Sequence, residues 1–344
     1  MDQLPEQGLA NTASADNPIT DSAASATAMA TGVKTNNGVI GMDPEYRVLE
    51  TILERAKLHG MAVGLVTTVQ VTHATPAAFS AHVPSRSMTE AIASQLLSTG
   101  VDVILGGGED DLLPPSTSGC HPGSGKRADG RDLIEEAISA GYTFVCDTEG
   151  FTAVHTDETT RLLGLFADEG LQRPYNPSLG QMTELAIAIL SQDPDGFFLM
   201  VEGGQIDWAC HAQDTENAIG DTIGFDQAVA QAVEFARSEP LTLVIVTADH
   251  ETGGMSASET PSGLPGEDGP FTMPDGKQFY VNWTTDSHTA APVPVNAQGP
   301  AGDLAIGTYE NTHIYDIMFA SAGFADYNRV FLPIGLHSYG KFPK

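Results

Sequence analysis

The sequence predicts an α/β fold built round a largely parallel sheet, and three observations carry that expectation. Short apolar runs alternate with segments of helical period, the pattern of strand, helix, strand units. Glycines or polar residues bound these runs, as they do where a chain leaves a sheet. Finally, 344 residues are enough to bury the core of one large domain.

Taken in order, a helix is expected over 49–59, stopped by Gly60, and a strand over 62–68. The pair repeats as a helix over 88–98 and a strand over 101–105, stopped by Gly106-Gly107-Gly108. It repeats again over 131–140 and 142–146. Then come an amphipathic helix over 181–191, a strand over 197–201, a helix over 225–237 and an apolar strand over 241–246. There is no internal repeat. Gly and Pro gather between Pro261 and Asp275, which reads as an exposed excursion within one unit and not as a linker. One domain is expected over 1–324, and 325–344, of mixed character and no clear period, reads as a C-terminal tail.

Fifteen Lys+Arg against 45 Asp+Glu give a net charge of −30, a field that repels nucleic acid and anionic membrane surfaces. Neither is expected as a partner. An anionic substrate would need strong local positive charge from metals or arginine. Cys120, Cys146 and Cys210 are widely spaced, and their odd number excludes a fully paired framework. No apolar run approaches the ~18 residues of a membrane span. Met1-Asp2-Gln3-Leu4-Pro5 lacks the basic and apolar regions of a signal peptide.

Open α/β sheets place ligands beyond the carboxyl ends of their strands, so polar residues just after the apolar runs are the first candidates. Thr247-Ala248-Asp249-His250 follows one run, Glu202 with Asp207 and His211 another, and His73-Ala74-Thr75 a third. Taken singly, each would be an ordinary cap or loop. The i, i+4 spacing of Asp207 and His211 puts both on one helix face, close enough to share an ion. Carboxylate with imidazole suits zinc, and a catalytic zinc usually takes three protein ligands. Spacing does not choose the third among ten histidines, although His288 lies in a small-residue loop that could present it. Thr20-Asp21-Ser22-Ala23-Ala24-Ser25 begins with a capping pattern that puts Ser22 at a helix N-terminus. Free N–H groups and the helix dipole there favour an anion and lower the cost of ionising the serine.

Together these motifs resemble the alkaline phosphatase family. The match runs in order from Asp21-Ser22-Ala23-Ala24-Ser25-Ala26-Thr27 and Thr31-Gly32-Val33-Lys34-Thr35 through His73-Ala74-Thr75-Pro76-Ala77 and Ser85-Arg86. It continues through Val201-Glu202-Gly203 with Asp207 and His211, Thr247-Ala248-Asp249-His250 and Ser287-His288-Thr289. The resemblance implies a three-layer sandwich with a large, mostly parallel central sheet, and hydrolysis of phosphate monoesters with two Zn2+ and one Mg2+. It implies that Ser22 is the nucleophile and forms a phosphoserine, and that Asp207, His211 and His288 bind one zinc. Asp249 and His250 would bind a second zinc beside Ser22. Thr75 and Glu202 match the magnesium ligands, and Arg86 matches the arginine that grips the substrate phosphate, where its planar fork can pair two oxygens. His73 and Trp208 resemble the marine, cold-adapted and animal members and not the enteric bacterial form, which has aspartate and lysine there; both are expected behind the metal ligands. Cys210, beside a ligand, matches no family metal position and reads as packing.

The chemistry calls for such a constellation. Enzymes accelerate phosphate monoester hydrolysis by up to ~10^21, whereas a general base supplies only ~10^2 to 10^4. Two metals roughly 4 Å apart can stabilise charge on both the attacking and the leaving oxygen.

Family members carry, upstream of the nucleophile, a strand ending in an aspartate that bridges the second zinc and the magnesium. Ser22 lies close to Met1, so that strand is expected to be missing, the second zinc and magnesium to be weakly held and the chain to be weakly active or inactive; the alternatives are an impaired phosphate- or metal-binding remnant and a related phosphodiesterase or sulfatase. Asp2 and Asp16 do not follow a buried strand and are not expected to substitute. The resemblance further implies a periplasmic or secreted location, small-molecule phosphate esters as substrates and a possible homodimer.

Overall fold

A computed structural model describes residues 1 and 3–324; the tail expected over 325–344 and Asp2 lie outside the described residues. The chain forms an α/β fold with helices against its sheets. A five-stranded, all-parallel sheet has the spatial order Thr143–Val145, Leu162–Leu165, Val103–Gly107, Ala62–Gln70, Phe197–Glu202. Seven of nine residues in Ala62–Gln70 are buried, because a parallel strand with neighbours on both sides is covered by helices on both faces. The equally apolar Phe197–Glu202 is half-buried throughout, because it ends the ladder. Its register, Val66 opposite Val201 and Thr67 opposite Glu202, delivers Glu202 to the carboxyl edge of the sheet.

A second sheet has the order Gly307–Glu310, Glu6–Asn11, Val293–Gln298, Val244–Thr247. It is mixed: Val293–Gln298 runs antiparallel to both of its neighbours, while Glu6–Asn11 and Gly307–Glu310 are parallel. The Glu6–Asn11 strand was not foreseen in the sequence. Asp16, which follows it, spends its carboxylate on Ser14 Oγ and the Asn37 amide, which leaves it out of the cluster described below.

The expected helices and strands before residue 205 recur with ends displaced by a few residues, as capping dictates. Thr51 and Glu54 close a capping box at the start of Ile52–Leu58, and Ser178 and Gln181 close another before Leu179–Leu190. Two later elements differ from expectation. The helix expected over 225–237 begins at Thr215 and ends at Ser238. Asp214 caps it by accepting from the Asn217 amide, and this outweighs the poor helix formers Gly220, Thr222 and Gly224. The strand expected from Leu241 begins at Val244; Leu241 is 90% exposed, since the chain must first turn through Pro240. The Gly/Pro stretch is part of a small antiparallel sheet formed by Ser256–Ser258, Asp268–Thr272 and Gln278–Asn282. Cys120 and Cys146 form a disulfide, a pairing the sequence left open, and Cys210 is free.

Candidate active site

Ser22 opens the helix Ser22–Thr31, which is buried along its whole length. Its residues are nearly all small, so neighbouring helices can approach closely, and the Asp21 carboxylate caps it by accepting from the Ala24 amide at 3.0 Å. Gly32, at φ 73°, closes it by donating its N–H to the Ala28 carbonyl. The nucleophile candidate therefore sits on the first turn of a rigid helix, 5% exposed, with the positive end of the helix beneath it.

Two clusters of ligand-type atoms meet near this serine. In the first, His211 Nε2 and His288 Nε2 lie 3.1 Å apart, and Asp207 Oδ1 lies 3.3 Å and 3.5 Å from them. A tetrahedral zinc with bonds of 2.0–2.1 Å holds its ligand atoms about 3.3–3.4 Å apart, so the triangle already has the size of a zinc site. The tautomers agree. His211 Nδ1 faces the Asp286 carbonyl at 2.6 Å and His288 Nδ1 faces the Thr20 carbonyl at 2.8 Å. A carbonyl only accepts, so both Nδ1 atoms carry hydrogen, and in the neutral rings both Nε2 atoms point bare lone pairs at one another and at a carboxylate. That arrangement is repulsive without a cation at its centre. Among the described residues, this is the one group of three such side chains whose ligand atoms all lie within 4.8 Å of one another.

In the second cluster, His250 Nε2 lies 3.1 Å from Ser22 Oγ and 3.1 Å from Asp249 Oδ2. Both residues follow directly on the strand Val244–Thr247. Ser25 Oγ donates to the Asp249 carbonyl at 2.7 Å, and Asn311 in turn donates to Ser25 Oγ at 2.8 Å. The turn carrying Asp249 is thereby pinned to the nucleophile helix. The His250 and His288 rings stack with centroids 3.5 Å apart, which sets the two clusters side by side.

Burial alone would raise the Asp249 carboxyl; when His250 is protonated its charge and its hydrogen bond, with that from Ser22, outweigh burial and hold Asp249 well below the carboxylate range. Asp207 is held low in the same way: burial opposes, while hydrogen bonds from a protonated His288 and from Thr252 prevail. Glu202 goes the other way. Burial pushes it up to about 7, with the nearby Asp249 charge adding to the effect and hydrogen bonds from Thr67 and Thr75 opposing it. A buried carboxylate facing other carboxylates is a site with a deficit of positive charge.

Arg86 is held from two sides: Nη1 donates to Asp21 Oδ2 at 3.1 Å and Nη2 to His73 Nε2 at 3.1 Å. Each terminal nitrogen keeps a second N–H, and the fork lies beside the turn that begins at Ser22. His73 is driven down to about 4 by burial and by the Arg86 charge, so it is neutral and accepts from Arg86. Its buried Nδ1 has no partner, and its ring meets Trp208 edge-on at 6.2 Å. Cys210 is pushed up to about 11 by burial, which makes it a poor thiolate and leaves it outside both clusters.

The structure thus brings together Ser22, Arg86, His73, Thr75, Glu202, Asp207, Trp208, His211, Asp249, His250 and His288. Asp21 as the clamp on Arg86, Thr67 on Glu202, and Thr252 were missed. Thr67 and Thr252 had only their places at strand ends as a signal, and Asp21 was read only as part of a helix-capping pattern.

Comparison with known proteins agrees with this geometry. A profile described as alkaline phosphatase matches residues 1–274. The chain is 37% identical to the alkaline phosphatase of Escherichia coli, over 89% of this chain and 74% of that protein. It is 36% identical to alkaline phosphatase 4 of Bacillus subtilis, over 88% and 77%. Among solved structures, the alkaline phosphatase from the Antarctic bacterium TAB5 superposes with a TM-score of 0.79 at 31% identity, covering 94% of this chain and 90% of that one.

Proposed function

The chain belongs to the alkaline phosphatase family and is a phosphatase acting on small phosphate esters, and from that premise we propose that it hydrolyses monoesters through a phosphoserine on Ser22, with two zinc ions and one magnesium ion as cofactors. One observation carries the reading: bare imidazole lone pairs and carboxylate oxygens converge, at zinc-ligand spacing, beside a serine at a helix N-terminus.

Asp207, His211 and His288 would hold one zinc, and Asp249, His250 and Ser22 the other. Glu202 and Thr75 offer the hard oxygens that suit magnesium. When bound, the metals stabilise negative charge on the attacking and leaving oxygens. Ser22 Oγ attacks phosphorus and the P–O bond to the alcohol breaks. Water then releases phosphate and restores the serine. The Ser22 helix supplies N–H groups and its dipole to the phosphoryl oxygens. Arg86, fixed in plane by Asp21 and His73, offers paired N–H groups to two of those oxygens. Asp207 and Asp249, held low, stay ionised as ligands. Local cations and Arg86 together overcome the −30 background that would otherwise repel the ester.

We also propose a periplasmic or secreted location. The Cys120–Cys146 disulfide favours an oxidising compartment, and among the described residues no helix is long and apolar enough to cross a membrane.

The test is turnover of a chromogenic phosphate monoester by the zinc- and magnesium-loaded protein, followed by acid quench and peptide mass analysis. Phosphate on the peptide containing Ser22, absent from S22A, is the expected result. Turnover with no phosphorylated serine would refute the covalent route.

A further inference from the structure

We propose that Thr252 is a positioning residue whose single hydroxyl ties the two ligand clusters into one unit; the inference rests on the two-zinc reading above. Thr252 is buried and lies two residues beyond His250, on the two-residue strand Glu251–Thr252. Its Oγ1 lies 2.6 Å from Asp207 Oδ1 and 3.1 Å from His250 Nδ1.

Proton bookkeeping fixes the direction of both bonds. Asp207, as an ionised ligand, only accepts, so the one hydroxyl hydrogen of Thr252 goes to it. The hydroxyl has no second hydrogen, and toward His250 it must accept. A neutral His250 therefore carries its hydrogen on Nδ1 and turns a bare Nε2 toward Ser22 and Asp249. One hydroxyl thus sets the tautomer of a ligand in the buried cluster and one lone pair of a ligand oxygen in the open cluster.

The main chain of the same residue reaches the third ligand. Thr252 is the antiparallel partner of His288, and Glu251 the partner of Thr289. The Thr289 hydroxyl is bonded to the Glu251 carboxylate, and the Gly253 amide donates to the Ser287 carbonyl at 3.0 Å. The ribbon thereby holds His288 in register with Thr252, and the Thr20 carbonyl caps its Nδ1. A displacement of Thr252 would be felt by Asp207, His250 and His288 together.

Outer-shell partners of this kind are typically worth 10- to 100-fold in metal affinity. The test compares the full chain with T252V, which keeps the β-branched shape a strand position favours but has no hydroxyl, and with T252S, which keeps the hydroxyl. Zinc affinity is measured by titration against a competing chelator. The visible spectrum of the cobalt(II)-substituted protein is recorded in parallel as a readout of ligand geometry. T252V should bind both metal equivalents about 10- to 100-fold more weakly with an altered cobalt spectrum, and T252S should match the parent in both. Unchanged affinity and spectrum in T252V would overturn the role. Equal loss in T252S and T252V would reassign it to packing, and loss confined to one metal would overturn the tie between clusters. Failure of the parent chain to bind two zinc ions would instead sink the two-zinc reading itself, and the role of Thr252 with it.

Discussion

The two ligand clusters share residue types yet are held in opposite ways. Asp207 and His211 lie one turn apart on the short helix Gln205–His211, His288 joins from a ribbon, and the His211 side chain is 38% exposed. Asp249, His250 and Ser22 come from a strand end and a fully buried helix, and the His250 side chain is 1% exposed. The first cluster is a preformed triangle open to solvent, suited to an oxygen that must leave. The second includes the serine itself, and its His250 and Ser22 are almost fully buried, although Asp249 at 24% exposed matches Asp207. On the proposed mechanism, attack falls to the cluster with the more deeply buried histidine and departure to the one with the more exposed histidine.

The largest effect that could break this contrast is at Ser22. S22A should lower turnover on the order of 10^3-fold or more, as loss of a nucleophile does, while leaving the open cluster's metal in place. Steady-state kinetics with metal analysis checks both halves. Next come the ligands. D207N and D249N should each lose one bound zinc, and each should cost more activity than the ~10- to 100-fold typical of an outer-shell partner. If both variants lost the same equivalent, the two clusters would be one site. Chelation of the parent protein should abolish turnover, and zinc with magnesium should restore it.

A smaller effect is expected at Arg86. R86Q should reduce kcat/KM by about 10- to 100-fold, the equivalent of one or two charge-assisted hydrogen bonds. R86K should recover little of it, since an ammonium cannot reproduce the fork held by Asp21 and His73. Inhibition by inorganic phosphate should weaken in parallel.

The smallest effect is a control on a histidine of another kind. His82 has Nδ1 on the Gly41 carbonyl at 2.8 Å and Nε2 on Glu54 at 2.8 Å, so both of its nitrogens are satisfied by protein. Burial lowers His82, but Glu54 and the Gly41 carbonyl outweigh it and raise it. Its contribution is therefore present below its ordinary value of 6.5 and lost as pH rises through the raised one. Glu54, where burial is outweighed by hydrogen bonds from His82 and Thr51, is held low; its share is lost as pH falls through that lowered value. H82N should thus cost of order 1 kcal/mol near pH 5.5 and less near pH 8. Thermal melts at the two values check this, and zinc content should not change.

Much of this was legible before any coordinates. The helices and strands expected over 49–201 recur because the parallel sheet buries its interior strands on both faces and leaves continuous apolar runs, although the short interior strand Leu162–Leu165 was not expected. Ligand-type residues stood out because they cluster just past those runs. What escaped was of four kinds. Thr252 and Asp21 are placed by hydrogen bonds that carry no spacing signal. The helix from Thr215 contradicts its own propensities, since Asp214 caps it and tertiary packing covers it. Glu6–Asn11 alternates in burial within a mixed sheet and lacks the apolar run that marks the parallel strands. Three cysteines could pair in three ways, and only the fold brings Cys120 to Cys146.

The most direct test of the two-cluster account is anomalous X-ray scattering from zinc-loaded crystals. Two peaks roughly 4 Å apart are predicted, one inside the Asp207, His211, His288 triangle and one against Asp249, His250 and the Ser22 hydroxyl. A single peak, or zinc bound away from both clusters, would contradict it.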